Sequence, residues 1–238
     1  MRPLDALNAI DAILKSQGGP YIGPKGGKWA DPMHKVHWTP PKPGGANSDQ
    51  EAQADVGYNL ANPYYTAGNA AVAALPEDQK EAIGTYMSYG FLFANEGLRN
   101  GSELDVDSAA MVVKVDAALA SAGARLKQSV NLYRGMGNDS PAYKLAAAGK
   151  LGAGSIMSDD SYLSTTTLKS VAEGFVRTSK GGAVIKIHAK KGAAALSVTS
   201  LAPHHGERET LIPRGAKLRV RSVTPIDGGR FQIDVDLL

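Results

Sequence analysis

At 238 residues, 43% hydrophobic and 21% charged, the chain has the length and apolar content to bury a sizeable core, which excludes wholesale disorder. Its 26 Lys and Arg against 23 Asp and Glu leave a formal charge of +3, too mild to argue for nucleic acid as a partner, and zero cysteines exclude disulfides and thiolate chemistry. No apolar run reaches the ~18–20 residues that span a bilayer, so no membrane partner is expected.

At the N-terminus Leu4, Leu7, Ile10, Ile13 and Leu14 mark one face of a short amphipathic helix, and Asp5 and Asp11 inside it argue against a secretory signal peptide. Residues 18–38 follow, dense in Gly, Pro and Lys, with Tyr21, Trp29 and Trp38 too few to build a core alone. Gly23-Pro24-Lys25-Gly26-Gly27-Lys28 lacks the Ser or Thr and the following helix of a Walker loop, and His34 and His37 have no further spaced ligands for a metal. The tract resembles segments of phage-encoded proteins, and two readings stay open: a loop-rich flap, or a docking tag for a capsid or another partner. That resemblance implies a phage virion or a host cytoplasm as the setting. Pro, Gly and polar residues over 40–56 read as a linker, dividing the chain into an N-terminal part, 1–56, and a larger domain, 57–238.

The larger domain begins helical. From Pro76, apolar residues Ile83, Tyr86, Met87, Phe91, Ala94 and Leu98 recur at helical steps until Asn100-Gly101. Tyr86 and Tyr89 read first as core. A second helix is predicted from a cap at Asp107 or Ser108 to Gly123, with Met111, Val112, Val115, Ala118 and Leu119 as its stripe. From residue 130 the pattern turns to strands. Val130 and Leu132 lead to Tyr133, Arg134 and Gly135, which reads as a buried strand delivering a guanidinium, whose planar fork suits a phosphate. The stretch from Ser161 to Thr167 puts hydroxyls on both faces of a short strand. A helix over 168–177 follows, with Leu168, Val171, Ala172, Phe175 and Val176 on one face and Ser170 with Glu173 as a capping box. Alternation then predicts strands at 183–189, 218–222 and 231–237, the last two joined through Asp227-Gly228-Gly229 as a hairpin. Helices first and short alternating strands later indicate an α+β fold with a largely antiparallel sheet.

Near the end stands Glu207-Arg208-Glu209. If the strand begins there, the two carboxylates share a face, their Cα atoms roughly 6–7 Å apart at ~3.3 Å of rise per residue. One could stabilise a sugar cation while the other orients a nucleophile, the division of labour that glycosyl transfer requires.

Taken in order, Tyr133-Arg134-Gly135, Leu163-Ser164-Thr165-Thr166, and Glu207-Arg208-Glu209 followed by Thr210 to Gly215 resemble the Arg-Ser-Glu class of mono-ADP-ribosyltransferases, the clostridial binary-toxin enzymes above all. Residues 82–101, with Asn95-Glu96-Gly97-Leu98-Arg99, are similar to the family's N-terminal helix, which carries a Tyr. The resemblance, covering about 75–238, implies a mainly antiparallel two-sheet β core around an NAD cleft. NAD would be a consumed substrate, nicotinamide the product, a protein the acceptor, and no metal is called for. It further implies that Arg134, with Gly135, meets the diphosphate; that Ser164 holds the catalytic Glu209, which stabilises the ribose cation; and that Thr165 and Thr166 line the nicotinamide ribose. Glu207 would position an arginine acceptor, Tyr86 would reach NAD, and Phe175 and Arg177 would contribute from the loop that follows the Ser/Thr strand. Thr166 stands where the family usually has Ser, and His204 and His205 occupy the turn where toxin relatives often carry an aromatic. Two other readings are an inactive phage structural or binding protein with this fold, and an enzyme that mainly hydrolyses NAD with water. Modification of nucleic acid is the less expected acceptor chemistry.

Overall fold

The computed structural model describes residues 56, 57, 59–176, 181–202 and 205–238, all within one compact unit, Pro43–Leu238. The amphipathic helix expected near the start, the tract 18–38, the linker up to residue 55, Arg177 and His204 lie outside the described residues.

Helix α1 (Pro63–Ala73) opens where the Asn62 side chain accepts from the Tyr64 amide at 2.9 Å and Pro63 presets the first turn. Helix α2 (Glu77–Thr85), a π turn (Tyr86–Gly90) and α3 (Phe91–Asn100) follow one another directly, ending at left-handed Gly101. The single helix predicted from Pro76 is therefore interrupted by a wider turn. Helix α4 (Val106–Ala120) is capped by Asp105, two or three residues before the predicted caps, because Asp105 accepts from the amides of Asp107 and Ser108. Its stripe of Met111, Val112, Val115, Ala118 and Leu119 is buried as predicted.

Strand β1 (Val130–Gly137), helix α5 (Pro141–Ala147), β2 (Ile156–Ser158), β3 (Leu163–Thr166), α6 (Lys169–Phe175), β4 (Gly182–Ala189), β5 (Leu196–Ser197), a short 3-10 turn (His205–Glu207), β6 (Glu209–Ile212), β7 (Lys217–Ile226) and β8 (Arg230–Leu237) complete the fold. The capping box expected at Ser170 and Glu173 does not form: α6 begins at Lys169, and its preceding Leu168 amide donates to Thr166 Oγ1 instead. Phe175, expected on the apolar face of that helix, is 54% exposed.

The eight strands form one α+β sheet in the order β2-β7-β8-β4-β1-β3-β6-β5, antiparallel throughout except for the parallel pair β4–β8. The two sheets expected from the resemblance are joined into one, but only by a seam. Whereas β1 pairs with β4 over its whole length from Val130↔Ala189 to Gly137↔Gly182, it pairs with β3 through Tyr133↔Thr166 alone. Two main cores lie against the sheet, and the larger crosses the seam, taking in Leu163 of β3 and Ile212 of β6. Leu132, Ile185, Ile187, Ile233 and Val235 of the five-strand half pack with Tyr64 and Tyr65 of α1. Tyr162, Leu196 and Leu211 of the three-strand half pack instead against Ile83, Tyr86, Val115 and Leu119 of the helices. The predicted hairpin is present, β7 and β8 pairing antiparallel up to Ile226↔Arg230.

Candidate active site

The residues singled out from sequence gather around the seam. Arg134 and Gly135 follow Tyr133 on β1, Ser164 precedes Thr166 on β3 by one turn of the pleat, and Glu209 sits opposite Thr166 on β6. Directly paired and next-but-one residues share a face of a sheet, so Ser164, Thr166 and Glu209 stand together. Ser164 Oγ donates a short hydrogen bond to Glu209 Oε1. Burial pushes the Glu209 carboxyl up to about 7, with nearby Glu207 adding to the rise and the Ser164 hydrogen bond and Arg134 charge opposing it. A carboxylate that is costly to ionise gains more than an exposed one from a cation placed against it.

Arg134 reaches this point from the other half. Its Nη1 donates to the Ser164 carbonyl at 2.7 Å, while its Nε is buried and meets no acceptor among the described residues. Burial first, then the like charge of Arg99, lower its pKa; Asp159, Tyr86 and Glu209 counter them. A guanidinium remains protonated under such pressure, so the buried donor suits an anionic group such as a phosphate. Arg99 itself is held by Asp159, with Nε to Oδ1 and Nη2 to Oδ2 both at 3.0 Å. Burial works against ionisation of Asp159, but hydrogen bonds from Arg99 and from the Ser161 amide and hydroxyl outweigh it and hold its pKa below the ordinary value. In the sequence Arg99 stands out only as part of the Asn95–Arg99 likeness, and Asp159 not at all. An ion pair spanning 60 residues leaves no local periodicity to find.

Tyr86 lies in the π turn, 1% exposed, with Asn95 Nδ2 donating to its hydroxyl at 3.0 Å and Tyr162 edge-on to its ring at 5.1 Å between centroids. Burial raises it to about 12 against the lowering effect of Asn95, and the Arg134 and Glu209 charges both act on it. It is thus a core residue within reach of the Arg134 and Glu209 charges, whereas Tyr89 is exposed. Wide turns of this kind recur next to functional sites because they redirect side chains without ending the helix.

One geometric expectation is corrected. Glu207 does not share a strand face with Glu209: it ends the 3-10 turn His205–Glu207, and the strand begins at Glu209 itself. Between them Arg208 takes φ of 52°, the one positive value for a non-glycine residue among the described residues, and turns the chain. Thr166 Oγ1 pins the turn by donating to the Glu207 carbonyl at 2.5 Å. Thr165 points to the opposite face from Ser164 and donates to the Thr210 carbonyl at 2.7 Å, a bond internal to the scaffold.

Gly135 has a packing reason of its own. A Cβ there would lie 2.0 Å from the Ala172 carbonyl oxygen and 2.9 Å from Phe175 Cβ, so glycine lets α6 rest directly on β1. That contact brings Phe175 beside the Arg134 strand end, exposed and outside the core.

Among the described residues no group of three or more metal-ligating side chains occurs, and no helix is long and apolar enough to cross a membrane. A cavity of about 710 Å³ between α4 and the Pro213-Arg214-Gly215 turn is lined by none of the residues singled out for the chemistry.

Comparison with solved structures returns the same fold repeatedly. Plx2a, an ADP-ribosyltransferase toxin from Paenibacillus larvae, is 21% identical with a TM-score of 0.60 over 74% of this chain and 92% of its own. C3stau2 from S. aureus, solved with NAD, is 19% identical with a TM-score of 0.60 over 76% and 97%. The ADP-ribosyltransferase Vis, solved with agmatine, is 18% identical with a TM-score of 0.58 over 82% and 88%. No curated protein sequence matches the chain. The sequence profile of the ADP-ribosyltransferase exoenzymes, by contrast, matches residues 53–238, beginning upstream of the stretch on which the resemblance was first drawn. This chain belongs to the ADP-ribosyltransferase exoenzyme family, the toxin-like mono-ADP-ribosyltransferases whose substrate is NAD.

Proposed function

We propose that the acceptor of the ADP-ribose is the guanidino group of an arginine on a protein, and that the residues around the β1–β3 seam divide the reaction between them. Cleavage breaks the bond from ribose C1′ to the nicotinamide nitrogen, and the bonding pair neutralises the pyridinium as it leaves. Glu209, ionised within its buried setting, stabilises the cation left on the ribose, and Ser164 fixes that carboxylate in place. Arg134 supplies its free Nε–H to the diphosphate, with Arg99 as a second positive charge nearby. Gly135 lets that strand end lie under α6, Tyr86 walls the cleft, Phe175 borders it, and Arg177, outside the described residues, is assigned to the same nicotinamide-side role. Thr166 shapes the ribose wall through its bond to the Glu207 carbonyl, and Thr165, on the opposite face, supports it from the scaffold through Thr210.

A single observation carries the arginine reading: a second carboxylate, Glu207, close enough to raise the pKa of Glu209, is displayed on a turn of its own and not on the strand. There it can orient a guanidinium and take the proton lost as a guanidino nitrogen bonds to C1′. The complex of Vis with agmatine, a guanidinium compound, supports the reading by analogy of fold. The test compares nicotinamide release in water with transfer to agmatine. In Glu207→Gln, transfer falls far more than hydrolysis, because water needs less orientation than a guanidinium; equal losses in both would point to another acceptor.

A further inference from the structure

The left-handed backbone at Arg208 separates the two glutamates, and its surroundings indicate how it is held. On α1, Tyr65 is fully buried; its hydroxyl donates to the Gly57 carbonyl at 2.8 Å and shares a 2.5 Å hydrogen bond with Thr167 Oγ1. Its ring lies beneath the Arg208 guanidinium, 5.7 Å from centroid to Cζ, within the range of a cation–π contact. Neighbouring Tyr64 meets Tyr65 edge-on at 5.3 Å and shares a 2.6 Å hydrogen bond with Thr210 Oγ1, the residue after Glu209. Helix α1 therefore ties down β6 just after the turn, at Thr210, and the neighbouring chain just after β3, at Thr167. A non-glycine residue with φ of 52° needs surroundings that over-determine it, and strained backbone held in this way clusters at functional sites.

We infer that Tyr65 and Arg208 form a positioning latch that holds the Glu207 turn for the acceptor, and so sets how much cleaved NAD goes to arginine and how much to water. The inference rests on the arginine reading above. The latch leaves bond cleavage alone, because Glu209 is fixed separately by Ser164 and by its ladder pairing with Thr166 of β3. With the latch intact, a guanidino nitrogen adds its lone pair to C1′, nicotinamide leaves with the bonding pair, and Glu207 accepts the proton shed. With the latch released, the same cation is captured by water.

The experiment measures nicotinamide release without acceptor and ADP-ribosyl-agmatine formation with it, in the full chain and in Tyr65→Leu, Tyr65→Phe and Arg208→Gly, with circular dichroism on each. Tyr65→Leu and Arg208→Gly are expected to lower the ratio of transfer to hydrolysis about fivefold, the effect of one cation–π contact. Tyr65→Phe keeps the ring and is expected to stay within about twofold of wild type. Glycine accepts positive φ without strain, so Arg208→Gly decides the matter if Tyr65→Leu does not fold. An unchanged ratio in Arg208→Gly, or a loss in Tyr65→Phe equal to that in Tyr65→Leu, overturns the latch while leaving the arginine reading standing. Failure of the wild-type chain to modify agmatine while hydrolysing NAD refutes the arginine reading and the latch with it.

Discussion

The two halves of the sheet are built by different means. Strands β7, β8, β4 and β1 run for eight to ten residues and pair along their length with one register shift, between Val220 and Ser222, and most of their apolar residues pack into one core. Strands β3, β6 and β5 are two to four residues long and are reinforced by side-chain hydroxyls: Thr165 to the Thr210 carbonyl, Thr166 to the Glu207 carbonyl, Tyr64 to Thr210. Hydrophobic burial is non-directional, so it supplies stability without fixing any one atom closely, whereas a hydrogen bond specifies position and orientation. The long half thus serves as the stable support and contributes a single reaching guanidinium, Arg134. The short half holds both carboxylates and the serine among which we propose that the chemistry is divided.

If that contrast is right, damage to the two halves should separate activity from stability. The largest effect is expected for Glu209→Gln, which should lower NAD cleavage by on the order of 10² to 10³ by removing charge at the developing cation. The same change should stabilise the fold at pH 8. The folded pKa of about 7 lies above the unfolded value of 4.5, so the native state gives up stability as pH rises through 7, by about 3 kcal/mol as an upper bound. Glutamine mimics the protonated form and escapes that loss, while at pH 4 the two proteins should melt alike. Near-normal turnover, or a lower melting temperature than wild type at pH 8, would break the comparison.

Truncation in the long half should do the reverse. Ile187→Ala, at a fully buried position of β4, is expected to cost about 2–5 kcal/mol in denaturant unfolding yet leave kcat of the folded fraction within about twofold. A selective loss of turnover there would mean that the support is part of the chemistry.

The finest test is a shift in pH. The Ser164 hydrogen bond lowers the pKa of Glu209 and Glu207 raises it. If ionisation of Glu209 sets the rising limb of kcat/KM for NAD hydrolysis, that limb should move to higher pH in Ser164→Ala and to lower pH in Glu207→Gln. Shifts in the same direction in both variants would show that another group controls the limb.

How much of this was visible in the chain follows the same division. Strands β4, β7 and β8 were legible because Ile185, Ile187, Leu218, Val220, Ile233 and Val235 alternate with polar neighbours, the period of a half-buried sheet. The order of the Arg, Ser/Thr and Glu motifs was legible as a family resemblance, and it named the side chains that meet at the seam. The placement of Glu207 was not. Strand alternation run back from Glu209 through Arg208 puts both glutamates on one face, but a residue in left-handed backbone resets the pleat, and nothing in an Arg demands that conformation.

By itself, then, the sequence determined the class of fold, the long ladders and the chemical inventory of the site, because propensity and periodicity act over a few neighbouring residues. Only the tertiary structure decided that Tyr86 would sit in a π turn, that Asp159 would hold Arg99 near Arg134, that one residue pair would join the two halves, and that Arg208 would turn over the ring of Tyr65. Each of these joins residues far apart in the chain, or imposes a backbone that local preference disfavours. The free energy that holds them comes from the packing around them and not from the segment that carries them.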